Sequence, residues 1–255
     1  MIEIKTPEEI RRMRKASQVV AEVLLQLKSR VKPGVSTAEL DKFAENSVRE
    51  LGAVPAFLGY RGYPATLCVS INEEIVHGIP SPGRLIREGD IVSLDMGAVC
   101  DGFYGDAAVT VAAGEVSGQA RRLMDVTSRS LELALSEVKA GARLGDVSHA
   151  VEKYALENGM SVVREFTGHG IGRHLHEEPS IPNFGKPGFG PVLKAGMTLA
   201  IEPMLCLGRA DIVIKNDGWT AVSADGSLAA HFEHTVAVTE KGCDILSAAP
   251  QGSPR

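Results

Sequence analysis

Asp95 and Glu202 stand 107 positions apart at the ends of matching apolar stretches, and much of the chain shares that interval. Gly34, Gly52 and Gly89 recur at the same spacing as Gly141, Gly159 and Gly196. Gly89–Asp95 (GDIVSLD) lies over Gly196–Glu202 (GMTLAIE), acid over acid. Asp106–Val111 (DAAVTV) matches Glu233–Val238 (EHTVAV) at an interval of 127, and the 20 additional residues fall around Leu207–Gly226. Coincidence can place glycines alike, but it does not readily set two acids over two acids in like stretches. A duplicated chain is expected to form one domain over 1–248 from two halves, roughly 5–112 and 113–240, followed by a flexible tail at 249–255.

Each half reads as helix, helix, strands. Thr6-Pro7-Glu8-Glu9 opens a helix with Thr6 as N-cap, Pro7 at the first position and Glu9 closing a capping box. Ile10, Met13, Val20, Leu24 and Leu27 mark its inner face, and Lys32-Pro33-Gly34 is expected to end it. A second helix follows Ser36-Thr37, with Leu40, Phe43, Ala44, Val48 and Leu51 inward and Gly52 as the stop. Short strands follow near Val54–Phe57 and Thr66–Ile71. The second half repeats the helices over Ser117–Val138 and Asp146–Asn158.

Ile91–Met96 and Gly105–Val111 read as a hairpin turning at Cys100-Asp101-Gly102, since Asp-Gly between apolar runs signals a tight β-turn. Alternation puts Ser93 and Asp95 on one face and Asp106, Ala108 and Thr110 on one face of the return strand. The turn then brings Asp95 and Asp106 opposite or diagonal to each other. On its own such a hairpin also suits two acids facing solvent. Duplication changes the weighing, because paired halves make Asp95, Asp106, Glu202 and Glu233 converge. At close range each carboxylate pair repels by about 4 kcal/mol at an effective dielectric near 20. Either several are protonated or about four positive charges balance them, and two divalent cations supply that charge. Oxygen-rich ligation with an occasional imidazole suits Mn, Fe(II), Co or Zn. Glu165–Pro179 holds three histidines, His169, His174 and His176, in a glycine-punctuated stretch read as a loop across a pocket.

Composition excludes other classes. The net charge of −5 offers no basic stripe for nucleic acid, and no apolar run reaches the roughly 20 residues of a membrane span. Cys68, Cys100, Cys206 and Cys243 form no Cys-x-x-Cys pair, which points to a reduced, cytoplasmic setting without thiolate zinc. The first residues lack the basic and apolar regions of a signal peptide.

The chain closely resembles the type I methionine aminopeptidases from Ile4 to about Leu246. The matching stretches are Gly59–Pro64 (GYRGYP), Ser70–Pro80 (SINEEIVHGIP), Asp101–Asp106 (DGFYGD), Gly168–Arg173 (GHGIGR), His176–Pro179 (HEEP), Ala200–Met204 (AIEPM) and Phe232–Thr235 (FEHT). The resemblance implies the α/β (α+β) pita-bread fold, in which two pseudo-symmetric halves form a central curved antiparallel sheet covered by helices. It implies two divalent ions (Co, Mn, Fe(II) or Zn). Asp106 and Glu233 would bridge them, Asp95 would hold one, and His169 and Glu202 the other. The implied reaction is removal of N-terminal methionine before a small second residue, by attack of a water or hydroxide bridging the two ions. Glu202 would relay the proton, His176 would polarise the scissile carbonyl and His77 would hold the peptide nitrogen. Tyr60, Tyr63, Cys68 and Trp219 would line the methionine pocket.

The implied substrates are N-termini of nascent polypeptides, met by a cytoplasmic monomer in transient contact with the ribosome, without membrane or specific nucleic-acid binding. Two departures stand near that pocket: Leu175 where many members carry phenylalanine, and Phe57 where some carry cysteine. The absence of an N-terminal extension, and of the type II insertion, suggests a minimal bacterial-style enzyme. Two other readings compete. An X-Pro aminopeptidase or prolidase on the same fold would carry a sizeable extra N-terminal domain, and a metal-free binding protein would lack the ligand set.

Overall fold

The computed structural model describes residues 1–249. Of the tail expected to be flexible, 249–255, residues 250–255 lie outside the described residues.

The first half comprises α1 (Pro7–Lys28), α2 (Thr37–Glu50), β1 (Val54–Pro55), β2 (Leu67–Ile71), β3 (Glu74–Val76), β4 (Ile91–Cys100) and β5 (Phe103–Ala112). The second begins with α3 (Gly118–Ser136), α4 (Leu144–Glu157), β6 (Ser161–Val162), β7 (Thr167–Gly170) and β8 (Glu177–Pro182). It continues with β9 (Thr198–Ile201), β10 (Met204–Cys206), β11 (Ile212–Ile214), β12 (Ala221–Ser223), β13 (Ala229–His231), β14 (His234–Val238) and β15 (Cys243–Ile245).

Helix starts follow their caps. Thr6 and Ser36 each accept the amide of the third helical residue, and Glu9 and Glu39 return the bond, which satisfies donors that a helix end otherwise leaves orphaned. Several expected ends shift. α1 stops at Lys28, before the Lys32-Pro33-Gly34 breaker, because Arg30 and Val31 fold back onto the Leu27 carbonyl. Leu51, expected inward, is 39% exposed because it caps α2 and has left the helical spiral. α3 ends at Ser136, and α4 starts at Leu144, with Asp146 serving as its capping acid.

The duplication is physical. α2 and α4 coincide at both ends after the shift of 107, and so do the isolated bridges Ser36↔Leu85 and Arg143↔Val192. Gly34 and Gly141 have φ of 90° and 88°, Gly52 and Gly159 74° and 73°, Gly89 and Gly196 88° and 89°. The repeated glycines therefore answer to one backbone need, a left-handed conformation that costs other residues energy.

β4 pairs with β5 along its length and with β1 and β2 on its other edge. Asp101 and Gly102 close the β4–β5 turn at φ of 51° and 77°, the two positive values of a type I′ hairpin. The second half has a five-stranded sheet in the order β15-β14-β9-β7-β8. α1 and α2 bury Val20, Leu24, Leu27, Leu40 and Val48 against Leu67, Val92, Leu94 and Met96. α3 and α4 bury Leu123, Leu131, Val147 and Val151 against Leu199, Ile201, Leu205 and Val236. Apolar faces thus turn toward the helices, and alternation leaves the acidic faces for the opposite side.

The added residues of the second half build their own hairpin, β11–β12, whose inner strand pairs with β3 of the first half. Among the described residues no helix is long and apolar enough to cross a membrane.

Candidate active site

The acidic cluster sits where the two halves meet. In the β4–β5 register Asp95 faces Ala108 and Gly97 faces Asp106, so the two carboxylates are diagonal neighbours on one face. Glu202 follows the last residue of β9, and Glu233 precedes β14. Glu233 N–H donates to Ala108 O at 2.9 Å, and Asp106 N–H donates to Thr235 Oγ1 at 3.1 Å. After the shift of 127, each of these contacts maps onto the other, so the cluster lies on the pseudo-two-fold axis.

His169 lies on strand β7, which corrects the expectation of a loop. Its glycine neighbours serve close strand packing. A Cβ at Gly168 would lie 2.4 Å from Ala200 O, and one at Gly170 2.1 Å from Glu178 O. In the register His169 faces Ala200, the counterpart of Ser93, while Ser93 itself faces Ser70. Ser70 is therefore the first-half counterpart of His169.

A cleft of about 310 Å³ takes in every expected site residue: Asp95, Asp106, His169, Glu202, Glu233, His77, His176, Tyr60, Tyr63, Cys68 and Trp219. Phe57 and Leu175 line it too. His174, the third histidine of the expected loop, does not. His169 Nε2 lies 3.9 Å from Asp106 Oδ2 and 3.7 Å from Glu202 Oε1. Asp106, His169 and Glu233 offer ligand atoms all within 4.8 Å of one another. Asp95 and Glu202 flank that trio.

Asp95 Oδ1, Asp106 Oδ1 and Glu233 Oε1 are buried and have no hydrogen-bond partner among the described residues. Orphaned carboxylate oxygens aimed at one another are expensive, and cations among them remove the cost. Burial, with Glu202 adding repulsion, pushes Asp95 up to about 7. Burial and then neighbouring carboxylates hold Asp106 and Glu233 well above the usual range. A hard oxygen donor set with one imidazole, bearing such unmet charge, fits divalent metal ions.

The rim carries the other groups. His77 takes a left-handed backbone at φ 61°, and its ring packs edge-on to Phe166 at 5.2 Å and to Trp219 at 6.2 Å. Burial lowers its pKa. His176 packs 4.3 Å from the His169 ring, and Tyr60 Oη pairs with its Nδ1 at 2.7 Å. Burial, then the neighbouring His169, lowers His176 to about 4. Tyr63 donates its hydroxyl to Leu67 O and Gly78 O and meets Trp219 edge to face at 5.2 Å. Trp219 sits in the β11–β12 turn, where Asp217 accepts its amide at 2.8 Å.

His231 escaped the sequence reading. It is 1% exposed, and its Nε2 lies 3.3 Å from Glu202 Oε2. Burial pulls its pKa down, and the Glu202 carboxylate more than offsets that. His231 ends β13, two residues before Glu233, and nothing in its local sequence points to Glu202, which follows β9. Arg61, Glu165, Phe166, Thr167, Val76 and Met204 also line the cleft unforeseen.

The sequence model of metallopeptidase family M24 matches residues 11–240. The chain is 48% identical to the methionine aminopeptidase of Clostridium acetobutylicum over 97% of its own length and 99% of that protein. It is 49% identical to methionine aminopeptidase 1 of Bacillus subtilis, again over 97% and 99%. The crystal structure of methionine aminopeptidase from Thermotoga maritima superposes with a TM-score of 0.96 at 49% identity, covering 97% of this chain and 99% of that one. Identity at this level, along nearly whole chains, favours neither the prolidase reading nor a metal-free binding protein. With its duplicated halves and its carboxylate–imidazole cluster, the chain belongs to metallopeptidase family M24, among the type I methionine aminopeptidases of pita-bread fold.

Proposed function

We propose that this chain removes the N-terminal methionine from nascent polypeptides and peptides with a small second residue, using two divalent ions. The observation that carries the reading is the convergence of Asp95, Asp106, His169, Glu202 and Glu233 in one cleft, three of them with orphaned buried oxygens. Asp106 and Glu233, on the pseudo-two-fold axis, would touch both ions; Asp95 would hold one, and His169 with Glu202 the other. Bound divalent ions supply Lewis acidity, lowering the pKa of water and polarising a carbonyl.

The chain's own groups do the rest. Glu202, at the edge of the cluster, takes and passes on the proton of the attacking water. His176, kept neutral by its low pKa, donates to the scissile carbonyl oxygen, where negative charge develops. His77 holds the peptide nitrogen on the leaving side. Tyr60, Tyr63, Cys68 and Trp219 surround the methionine side chain; the edge-to-face rings of Tyr63 and Trp219 suit a flexible, polarizable thioether. Burial raises the Cys68 thiol, so it serves as an apolar wall. We read the protein as a cytoplasmic monomer that meets its substrates near the ribosome. Mn, Fe(II), Co and Zn all suit the donor set.

Turnover of Met-Ala-Ser against Ala-Pro peptides tests the reading, with metal-stripped protein and His169→Ala as controls. Cleavage of Met-Ala-Ser that ends on stripping and falls at least about 100-fold in His169→Ala supports it. Preference for the proline peptide, or turnover without metal, overturns it.

A further inference from the structure

The two oxygens of Glu202 face different neighbours. Oε1 lies 3.7 Å from His169 Nε2, and Oε2 lies 3.3 Å from His231 Nε2. His231 is buried, does not line the cleft, and its Nε2 has no aligned hydrogen-bond partner among the described residues. Its backbone is pinned from the other half. Its N–H donates to Thr110 Oγ1 at 2.9 Å, and its carbonyl accepts the Thr110 hydroxyl at 2.8 Å. Thr110 lies opposite Ser93 in the β4–β5 hairpin, and their hydroxyls pair at 2.8 Å. The imidazole is thus hung from the first half and reaches a side chain of the second.

A glutamate has three side-chain torsions, so one carboxylate oxygen aims at a ligand reliably only when the other is held. Outer contacts of this kind orient metal-binding side chains. We propose that His231 is a positioning residue for Glu202: its Nε2–H holds Oε2, which keeps Oε1 turned toward the centre beside His169. A neutral imidazole with its proton on Nε2 suffices, so the role is placement rather than charge. The inference rests on the reading of Glu202 as a metal ligand given under the proposed function.

His231→Gln and His231→Asn test it. Both are neutral amides with an N–H donor, but only glutamine reaches as far as Nε2 does. Mn²⁺ affinity is read by calorimetric titration of the stripped protein, next to kcat and KM on Met-Ala-Ser. His231→Gln stays within about 3-fold of the unsubstituted protein, whereas His231→Asn weakens Mn²⁺ binding by about 10–100-fold and lowers kcat at unchanged KM. Asparagine equal to glutamine in affinity and kcat overturns the proposal, as does glutamine falling as far as asparagine. Should the variants not fold, the ¹⁵N histidine spectrum of the unsubstituted protein decides: a proton on His231 Nε2 supports the role, and an Nε2 without one overturns it. Glu202→Ala separates the two readings. If it keeps its Mn²⁺ and its turnover, the ligand assignment itself fails. If it loses an ion while His231→Asn does not, only the positioning role fails.

Discussion

Thr235 grips both backbone groups of Asp106: its hydroxyl accepts the Asp106 N–H at 3.1 Å and donates to the Asp106 carbonyl at 2.7 Å. Thr235 is fully buried and belongs to the second half, Asp106 to the first. This side-chain clasp mirrors the backbone bond from Glu233 to Ala108, and the two together hold the acidic cluster on its axis.

Thr235→Val keeps the shape and removes the clasp, leaving a buried donor and acceptor unmet. It should cost about 1–3 kcal/mol, read as a lowered midpoint in urea, whereas Thr235→Ser stays near the parent. Equal midpoints for valine and serine would show that the hydroxyl contributes nothing.

Metal removal should interact with pH. Carboxylates whose folded pKa is raised stabilise the fold below their unfolded pKa, near 4, and that contribution is lost as pH rises through the folded value. For Asp95 the upper limit is about 7, and Asp106 and Glu233, raised in the same direction by burial and then by neighbouring carboxylates, add to the loss. His176 and His234, each lowered to about 4 by burial first, act in the opposite direction: their contribution is lost as pH falls. The rise in Tm between chelator-treated and Mn²⁺-loaded protein largely cancels these histidine contributions. It should grow from pH 5.5 to pH 8, and a constant rise would contradict the buried acidic cluster.

Gly105 lets α1 lie against β5. A Cβ there would stand 2.4 Å from the Ser17 amide nitrogen and 2.6 Å from its Cα, which are helix backbone and cannot swing aside. Gly105→Ala should therefore destabilise by about 1–3 kcal/mol or more. As Asp106 is the next residue, the same variant should bind Mn²⁺ more weakly in a calorimetric titration.

Trp219 packs its ring edge to face against Tyr63 and His77 in the cleft. Trp219→Ala should raise KM for Met-Ala-Ser more than it lowers kcat, the pattern of lost ground-state binding. A fall in kcat at constant KM would place the indole in the chemistry instead.

Much of this was legible in the sequence, for reasons that particular residues make plain. Thr6 and Ser36 announce helix starts because their partners Glu9 and Glu39 are local. The face shared by Ser93 and Asp95 follows from strand alternation alone. Whether Asp95 and Asp106 stand opposite or diagonal did not, since the register depends on both Asp101 and Gly102 taking positive φ. His169 looked like a loop residue because glycines flank it. Only the approach of the Ala200 and Glu178 carbonyls shows why a strand needs them there. His231 stayed hidden because its partner Glu202 is near in space and distant along the chain.

The mirrored positions Ser70 and His169 carry a last implication. A two-fold frame offers an incoming peptide no preferred direction, yet an exopeptidase must tell the free amine from the bond to be cut. Here one half presents an imidazole where the other presents a hydroxyl already occupied by the Gly78 amide at 3.1 Å. The sense in which a polypeptide threads the cleft can thus originate in the broken equivalence between these two positions.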